Sequence, residues 1–600
     1  MSDLHEYIVS TIEGVAIDDL ESKLVSPTSG LTHIPDRVID VANPRLLNER
    51  QTHFLLAEEE ADLLRNHPDV LDVGIAPTPD MISSCDVQVD NFYRDAGGTA
   101  INGGSASYTN WGLRRVNLGT DEVATGVSNY DYYVDGEGVD IIIQDNGTQN
   151  GHPEWEDKNG NTRFVQHNWY TVTGYPGTLP TGWYGNVGNH GSHVTGITSG
   201  KHYGWAKGAA IYSMRYDLVS NLLDAFDLIR VWHQNKPVDP RTGYKRPTIV
   251  NASWGYRWWH YNNSVGAQVS RTYRGTTTVT SSFSSAEGQI TAFIDNTGRY
   301  GARNFVVAST DIACKQMTDV GVIYIKAAGN YYHKTDSSVN KTILGTEAGN
   351  IYQMKHTLTV AAGHAVTAVS GCTVPGGTTV SSVIDHKRVQ LNNPITPTSG
   401  TIVLNFKGPD YDNYAIYDAS FAQGVIAAGQ PVYYHRPGSP WSSDSINVGC
   451  IDNARNGSSQ EQRATFSEHG AGIDVYAPGS NISSSTSNAS GYASETGYPY
   501  NTTYKIARIS GTSMAAPQVT GLLACYLSLN PRATAEDCKE WLASKASVAG
   551  QLYDTGLTND YTNYRSLNSS PGRYLKNPFA SPKGIIYNDG ITLTGNFTKV

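Results

Sequence analysis

From Gly136 onward, short β-branched apolar runs alternate with helical patterns, and this alternation restricts the possible fold more than any other feature of the chain. Val139-Asp140-Ile141-Ile142-Ile143, Ile249-Val250 and the stretch from Gly321 to Ala328 are too continuously apolar for strands with one wet face. Helical periodicity separates them, for instance from Asn221 to His233. Strands buried on both faces and joined through helices make a mostly parallel sheet flanked by helices, so the expected class is α/β. An apolar helix from Ser513 to Leu529, with Pro517 near its start where proline is best tolerated, belongs to the same region.

Ahead of this region, residues 7 to 77 read as a small α+β unit. Tyr7 to Ile12 has strand character, a helix falls near Ile17 to Leu24, and the apolar Thr52 to Ala57 runs into Glu58-Glu59-Glu60. Those acids open a helix to about Asn66, where they suit the positive end of its dipole, and Val70 to Val73 resumes strand character. The expected division is an N-terminal α+β domain at 1–79, a linker rich in Ser, Asp, Asn and Gly at 80–108, the α/β domain at 109–550 and a C-terminal arm at 551–600. Within the α/β domain, about 333–445 is dominated by Thr, Ser, Val, Gly and Pro without a convincing helix, which reads as a β-rich insertion.

Three strings carry chemistry: Ile143-Gln144-Asp145-Asn146-Gly147, Asn189-His190-Gly191-Ser192-His193 and Ser510-Gly511-Thr512-Ser513-Met514-Ala515-Ala516-Pro517. Singly, they are a turn cap, a satisfied core histidine and a helix cap. Jointly they supply an orienting carboxylate, a general base and a nucleophile in the chain order Asp, His, Ser. A serine hydroxyl is a poor nucleophile near neutral pH, so His190 has to accept its proton, while Asp145 fixes the imidazole tautomer and stabilises the imidazolium. Ser513, opening a helix, sits where the dipole and backbone N–H groups favour a developing oxyanion.

Together with Trp111-Gly112-Leu113, His152-Pro153-Glu154, Asn251-Ala252-Ser253-Trp254-Gly255, Ala327-Ala328-Gly329-Asn330 and Val475-Tyr476-Ala477-Pro478-Gly479, these strings resemble a subtilisin-like serine peptidase (subtilase) of the subtilisin and proteinase K group. The resemblance covers about residues 111 to 548. It implies a serine endopeptidase that works through Asp145, His190 and Ser513 and an acyl-enzyme, with the Asn330 side chain as oxyanion donor. It further implies a polypeptide substrate added as a strand beside Ser253, Trp254 and Gly255.

This chain departs from the family pattern in several places. Trp254 is bulkier than the aliphatic residue expected there, and Tyr256, Trp258, Trp259, His260 and Tyr261 follow, so either the cleft wall is aromatic or an aromatic loop packs on itself. Asn146 stands where the family usually has Ser or Thr, with an amide able to donate a hydrogen bond. Long separations between Asp145, His190, Asn330 and Ser513 imply loop insertions around the cleft. Residues 7 to 77 resemble the family's inhibitor-type propeptide, which assists folding and leaves its C-terminal segment in the cleft. The chain would then be a zymogen that cuts itself somewhere in about 78–110.

The net charge of −11, from 44 Lys and Arg against 55 Asp and Glu, repels a phosphate backbone, so nucleic acid is not an expected partner. Six cysteines with no close-spaced pair argue against zinc or a redox motif. The mechanism requires no cofactor. Structural calcium accords with the resemblance and the acidic balance, but no contiguous carboxylate loop assigns ligands. No run reaches about 18 apolar residues, so no membrane span is expected. The start Met1-Ser2-Asp3-Leu4-His5-Glu6 lacks the basic and apolar parts of a secretory signal, which favours a cytoplasmic or particle-associated location over classical secretion. A second reading stays open: a structural or assembly component, for example of a virus particle, that retains a silent peptidase fold within a large assembly.

Overall fold

The computed structural model describes residues 4–26, 30–76, 82–84, 110–118, 132–157, 159–184, 189–219, 221–259, 268–281, 302–417, 430–454, 460–489, 491–492, 494–498, 500–555, 566–567 and 570–579. At the N-terminus, β1 (His5–Thr11), α1 (Ile17–Val25), β2 (Asp40–Val41), β3 (Gln51–Leu56), α2 (Glu58–Arg65) and β4 (Val70–Ile75) build an antiparallel four-stranded sheet in the order β2-β3-β1-β4. Glu60 closes the first turn of α2 by accepting the Ala57 N–H at 2.8 Å. Successive side chains of β1 point to opposite faces. Tyr7 and Val9 therefore join Leu20, Leu24 and Leu64 in the unit's own core, while Ile8 points out of it into the core of the following region.

That region begins, among the described residues, with β5 (Ile82–Ser84) and α3 (Trp111–Leu118). It continues through β6 (Asp140–Asp145), α4 (Asn189–Ser199), β7 (Ala210–Arg215), α5 (Asp224–Asn235), β8 (Thr248–Ala252) and β9 (Trp254–Trp259). Then follow α6 (Ala308–Asp319), β10 (Ile323–Ala327), β11 (Ile446–Ile451), β12 (Val475–Pro478), α7 (Thr512–Leu529), β13 (Ser547–Val548) and β14 (Tyr574–Leu575). Eight of these strands form one sheet in the order β7-β6-β8-β10-β11-β12-β14-β13, parallel except where β13 meets β14.

The strand alternation again sorts the core. Ile141 and Ile143 face α4 and α7, with Val194, Ile197, Met514 and Leu523, whereas Ile142 faces α5 and α6, with Phe226, Ile229 and Met317. Every residue of β6 is buried, as a strand covered by helices on both faces requires. The expected C-terminal arm contributes β14 to this sheet, with Tyr574, Leu575 and Phe579 buried.

Between β10 and β11, a six-stranded antiparallel sheet runs in the order 365–370, 403–407, 338–347, 351–354, 388–391, 380–383, around its own core of Val339, Tyr352, Leu404 and Phe406. A hairpin of 268–273 and 276–281, which the sequence reading left unassigned, pairs with 414–417 beside this sheet.

Candidate active site

The sheet order reverses at β6, which has β7 on one side and β8 on the other. In open α/β sheets, ligand crevices form outside the carboxyl ends of the strands at such a point. Asp145 is the last residue of β6, Ser253 directly follows β8, and Asn330 lies three residues beyond β10. His190 and Ser513 are each the second residue of a helix, α4 and α7, and these two helices pack against each other.

His190 Nδ1 lies 2.9 Å from Asp145 Oδ1 and 3.0 Å from Oδ2, with both side chains buried. The Asn146 N–H donates to Asp145 Oδ1 at 2.8 Å. The Asn146 side chain, expected as a donor, instead accepts the Gly191 N–H at 3.1 Å, tying the end of β6 to the first turn of α4. Position 191 has room for no side chain, since a Cβ there would run into the Gly147 carbonyl. Two residues on, His193 Nε2 sits 3.1 Å from both the Ile482 and Ala507 carbonyls. Burial drives its pKa down to about 3, so it is a neutral clamp on the hairpin of 482–486 and 505–509.

Proline shapes the surroundings of Ser513. Pro517 lacks the N–H that would close a helical bond to the Ser513 carbonyl four residues earlier. The Ser253 hydroxyl takes that place, donating to the Ser513 carbonyl at 2.9 Å, and in return the Ser513 hydroxyl donates to the Ser253 carbonyl at 3.1 Å. Asn251 Nδ2 donates to Ser253 Oγ at 2.8 Å, and Thr520 Oγ1 donates to Asn251 Oδ1 at 2.9 Å. The end of β8 is thereby locked to the start of α7.

Asn330 Oδ1 accepts both the Thr512 N–H and the Thr512 hydroxyl at 2.9 Å. Its orientation is fixed by that pair of bonds. The Nδ2 group then faces away from Thr512, buried and with no hydrogen-bond acceptor among the described residues. A buried donor left open in this way is costly unless something else fills it.

Trp254 is fully buried, its ring centroid 5.1 Å from that of Tyr216, 6.2 Å from Phe226 and 6.0 Å from Tyr256. Its side chain is therefore core rather than cleft wall, while its backbone, with that of Gly255, forms a sheet edge. That edge carries β5, antiparallel, with Trp254 opposite Ser84, Gly255 opposite Ser83 and Tyr256 opposite Ile82. The side chains of Trp258 and Trp259, the residues His260 and Tyr261, and the rest of the expected linker lie outside the described residues.

Sequence reasoning quoted Thr512 and Asn251 within its strings but gave them no role, and it did not find Thr520 or the strand at 82–84. Pro517 was the available signal for Asn251 and Thr520, because it announces a carbonyl at Ser513 in need of an outside donor, which Ser253 supplies and those two residues hold in place. Among the described residues, no group of three His, Cys, Asp or Glu side chains is placed to hold a metal ion, and no helix is long and apolar enough to cross a membrane.

Comparison with known proteins gives a match to the model of the subtilase family (peptidase S8) over residues 136–570. M-protease of Shouchella clausii strain KSM-K16 is 34% identical over 140 residues, 23% of this chain and 30% of that protein. Subtilisin BL of Lederbergia lenta is 34% identical over 143 residues, 24% of this chain and 42% of that protein. The cuticle-degrading serine protease of Arthrobotrys oligospora is 29% identical over 260 residues, 42% of this chain and 54% of that protein. The chain thus spans less than two thirds of the length of each of these relatives. Among solved structures, a cold adapted subtilisin-like serine proteinase aligns at 17% identity and a TM-score of 0.38, over 78% of this chain and 99% of that one. Fervidolysin from Fervidobacterium pennivorans aligns at 15% identity and a TM-score of 0.44, over 96% of this chain and 61% of that one.

Proposed function

The chain belongs to the subtilase family, and on that premise we propose that it is a serine endopeptidase whose nucleophile, base and orienting acid are Ser513, His190 and Asp145. A peptide lies as a strand on the edge formed by Ser253, Trp254 and Gly255, bound through its backbone. The Ser513 hydroxyl turns from the Ser253 carbonyl to His190 Nε2 and attacks the scissile carbonyl as His190 takes its proton. Asp145, on the other ring nitrogen, holds the tautomer and stabilises the imidazolium. Collapse of the tetrahedral intermediate passes that proton to the leaving amine, and water activated by the same histidine then hydrolyses the acyl-enzyme.

The observation that carries this reading is the open Nδ2 of Asn330, on a side chain clamped to the residue before the nucleophile. A fixed, desolvated donor costs no reorganisation when an oxyanion appears beside it. The N-terminal unit of β1 to β4 acts as a propeptide in this reading, docked on α5 and α6 and joined to the strand on the cleft edge, and the chain matures by cutting itself. The alternative of a silent assembly component has no specific observation in its favour.

A fluorophosphonate probe is expected to label the processed wild type at Ser513 and to leave Ser513→Ala unlabelled. A folded, processed wild type that resists labelling would overturn the assignment. Asn330→Ala is expected to lower kcat by about 100- to 1,000-fold with little change in KM.

A further inference from the structure

In the strand 338–347 of the β-rich insertion, a lysine stands where the alternation calls for an apolar side chain. Val339, Lys341 and Ile343 share one buried face, and Lys341 is only 7% exposed. Its Nζ lies 3.2 Å from both ring nitrogens of His356. Those nitrogens are already committed. Nδ1 accepts the Leu358 N–H at 3.2 Å, so Nε2 carries the proton, and it faces Glu536 Oε2 at 3.1 Å. Burial lowers the Lys341 pKa to about 8, which leaves the group mostly charged at neutral pH. On the helix of 535–544, Lys539 is 6% exposed and donates to the Ser443 carbonyl at 2.5 Å. Among the described residues, neither ammonium has a carboxylate within 4.0 Å. Each has three N–H donors, and burying a charge without its full set of partners is costly.

Both lysines line a cavity of about 540 Å³ between the insertion and the central α/β region, walled also by α6 and the segment 441–444. The carboxyl groups of its wall are engaged elsewhere. Glu536 faces His356, Asp444 lies 3.8 Å from Lys315 Nζ, and Asp311, raised to about 7 by burial, accepts the Trp441 N–H at 2.9 Å. The two buried ammonium groups are therefore the surplus charge. Ser338, Asn340, Thr359, Asn405, Ser442 and Ser443 add hydroxyl and amide groups to the lining. We propose that this cavity binds a hydroxylated organic acid, the class to which sugar acids belong, with its carboxylate on Lys341 and Lys539 and its hydroxyls on the serine and amide groups. The volume is that of a small-molecule site, and an inorganic oxyanion would fill only a small part of it. A dianion would also meet the Asp444 and Glu536 carboxylates, which accept the hydrogen of a ligand hydroxyl but repel a second negative charge. One lysine belongs to the insertion and the other to the central region, so the bound acid ties the two together.

The test titrates the full chain with glucuronate, galacturonate, glucose and inorganic phosphate by calorimetry. At least one of the two uronates is expected to bind, with glucose, which has ring hydroxyls but no carboxylate, weaker by about 10-fold or more. Lys341→Met and Lys539→Met exchange an ammonium for an apolar chain of similar length, and each is expected to weaken uronate binding by about 10-fold or more. Lys387→Ala, at a lysine outside the cavity, is expected to leave it within about 2-fold. Binding by neither uronate, equal binding of glucose, tighter binding of phosphate, or an affinity unmoved in the folded lysine variants would each overturn the proposal. The comparison of uronate with glucose uses the unsubstituted cavity, so it decides the matter even where a lysine variant fails to fold.

Discussion

The N-terminal unit and the β-rich insertion are both appended to the central sheet, and each closes a core of its own, yet their seams are built differently. The N-terminal seam sets Ile8 into the core of the neighbouring region and adds a set of polar contacts onto two helices. Arg45 Nη2 pairs with Asp227 Oδ2 at 2.6 Å, Asn48 Nδ2 donates to Asp227 Oδ1 at 3.0 Å and to Gln316 Oε1 at 2.7 Å, and Gln51 Nε2 donates to the Ser309 carbonyl at 3.1 Å. If the unit leaves, water can take over every one of these groups.

At the root of the insertion, buried Asp410 and Asp336 are held by charged and polar partners, of which Lys334 and His364 are buried and Arg274 is half exposed. Asp410 receives Lys334 Nζ at 2.5 Å and Arg274 Nε at 2.7 Å, and Asp336 receives the Asp410 N–H at 3.0 Å with His364 Nε2 at 3.4 Å. Here the chain connects on both sides, so no departure can hydrate the charges. Both seams bury an ion pair, Arg45–Asp227 and Lys334–Asp410, so separability turns on whether undocking can hydrate it, not on whether the appended part has a core.

The largest expected effect tests the root. Asp410→Ala in a Ser513→Ala background leaves Lys334 buried without its carboxylate and is expected to cost about 3–5 kcal/mol of global stability in denaturant melts. A loss under about 1 kcal/mol would erase the contrast between the seams. The next tests the other side. Arg45→Ala in the same background leaves Asp227 with only Asn48 and the more distant Arg230, and undocking lets it hydrate, so the damage stays local at about 2 kcal/mol. The expected signature is an early, separate transition of residues 4–76, with the main melt unmoved.

The pH dependence of the two seams should have opposite signs. Burial raises the Asp72 carboxyl to about 6 against the pull of Arg65, in a cavity of about 250 Å³ between β4 and the segments 305–309 and 430–436. A carboxyl raised in the docked state stabilises docking fully below its free value near 3.8, and that contribution is lost as pH rises through about 6. Raising pH from 4 to 7 is therefore expected to loosen the N-terminal unit by about 1–2 kcal/mol once partial exposure is discounted, with Asp72→Asn flattening the response. Asp410 behaves in reverse. Burial alone would raise its carboxyl, but Arg274 and Lys334 overcome this and hold it well below the usual range, so its contribution is present at neutral pH and lost only as pH falls below about 4. Hydrogen exchange of the two regions across pH 3 to 7 separates the trends.

What the sequence made legible follows the same physical line. Ile141 to Ile143 declared a strand because both its faces are covered, and the strings around Asp145, His190 and Ser513 are local patterns at a strand end and two helix starts. Other features carry no local pattern. β14 is two residues long and β5 three, both too short for any periodicity. The hairpin at 268–281 is rich in Thr and Ser, with no alternation marking a core face. Trp254 announced a need for burial but not on which side of its strand. The seam charges are joined across 76 residues between Lys334 and Asp410 and 182 between Arg45 and Asp227, separations at which sequence proximity says nothing.

The smallest effect is expected at the rim of the insertion, where Lys387 Nζ reaches Glu540 Oε1 at 2.7 Å on the helix of 535–544. Lys387 is 46% exposed and Glu540 29%, so water screens the pair and two long side chains lose freedom to hold it. Lys387→Ala is expected to change stability by less than about 0.5 kcal/mol, and a double-mutant cycle with Glu540→Ala to give a coupling of the same small size. A coupling above about 1 kcal/mol would mean that surface bridging, rather than the buried root, holds the insertion in place. The two appended regions would then differ in the number of their chain connections and not in the chemistry of their seams.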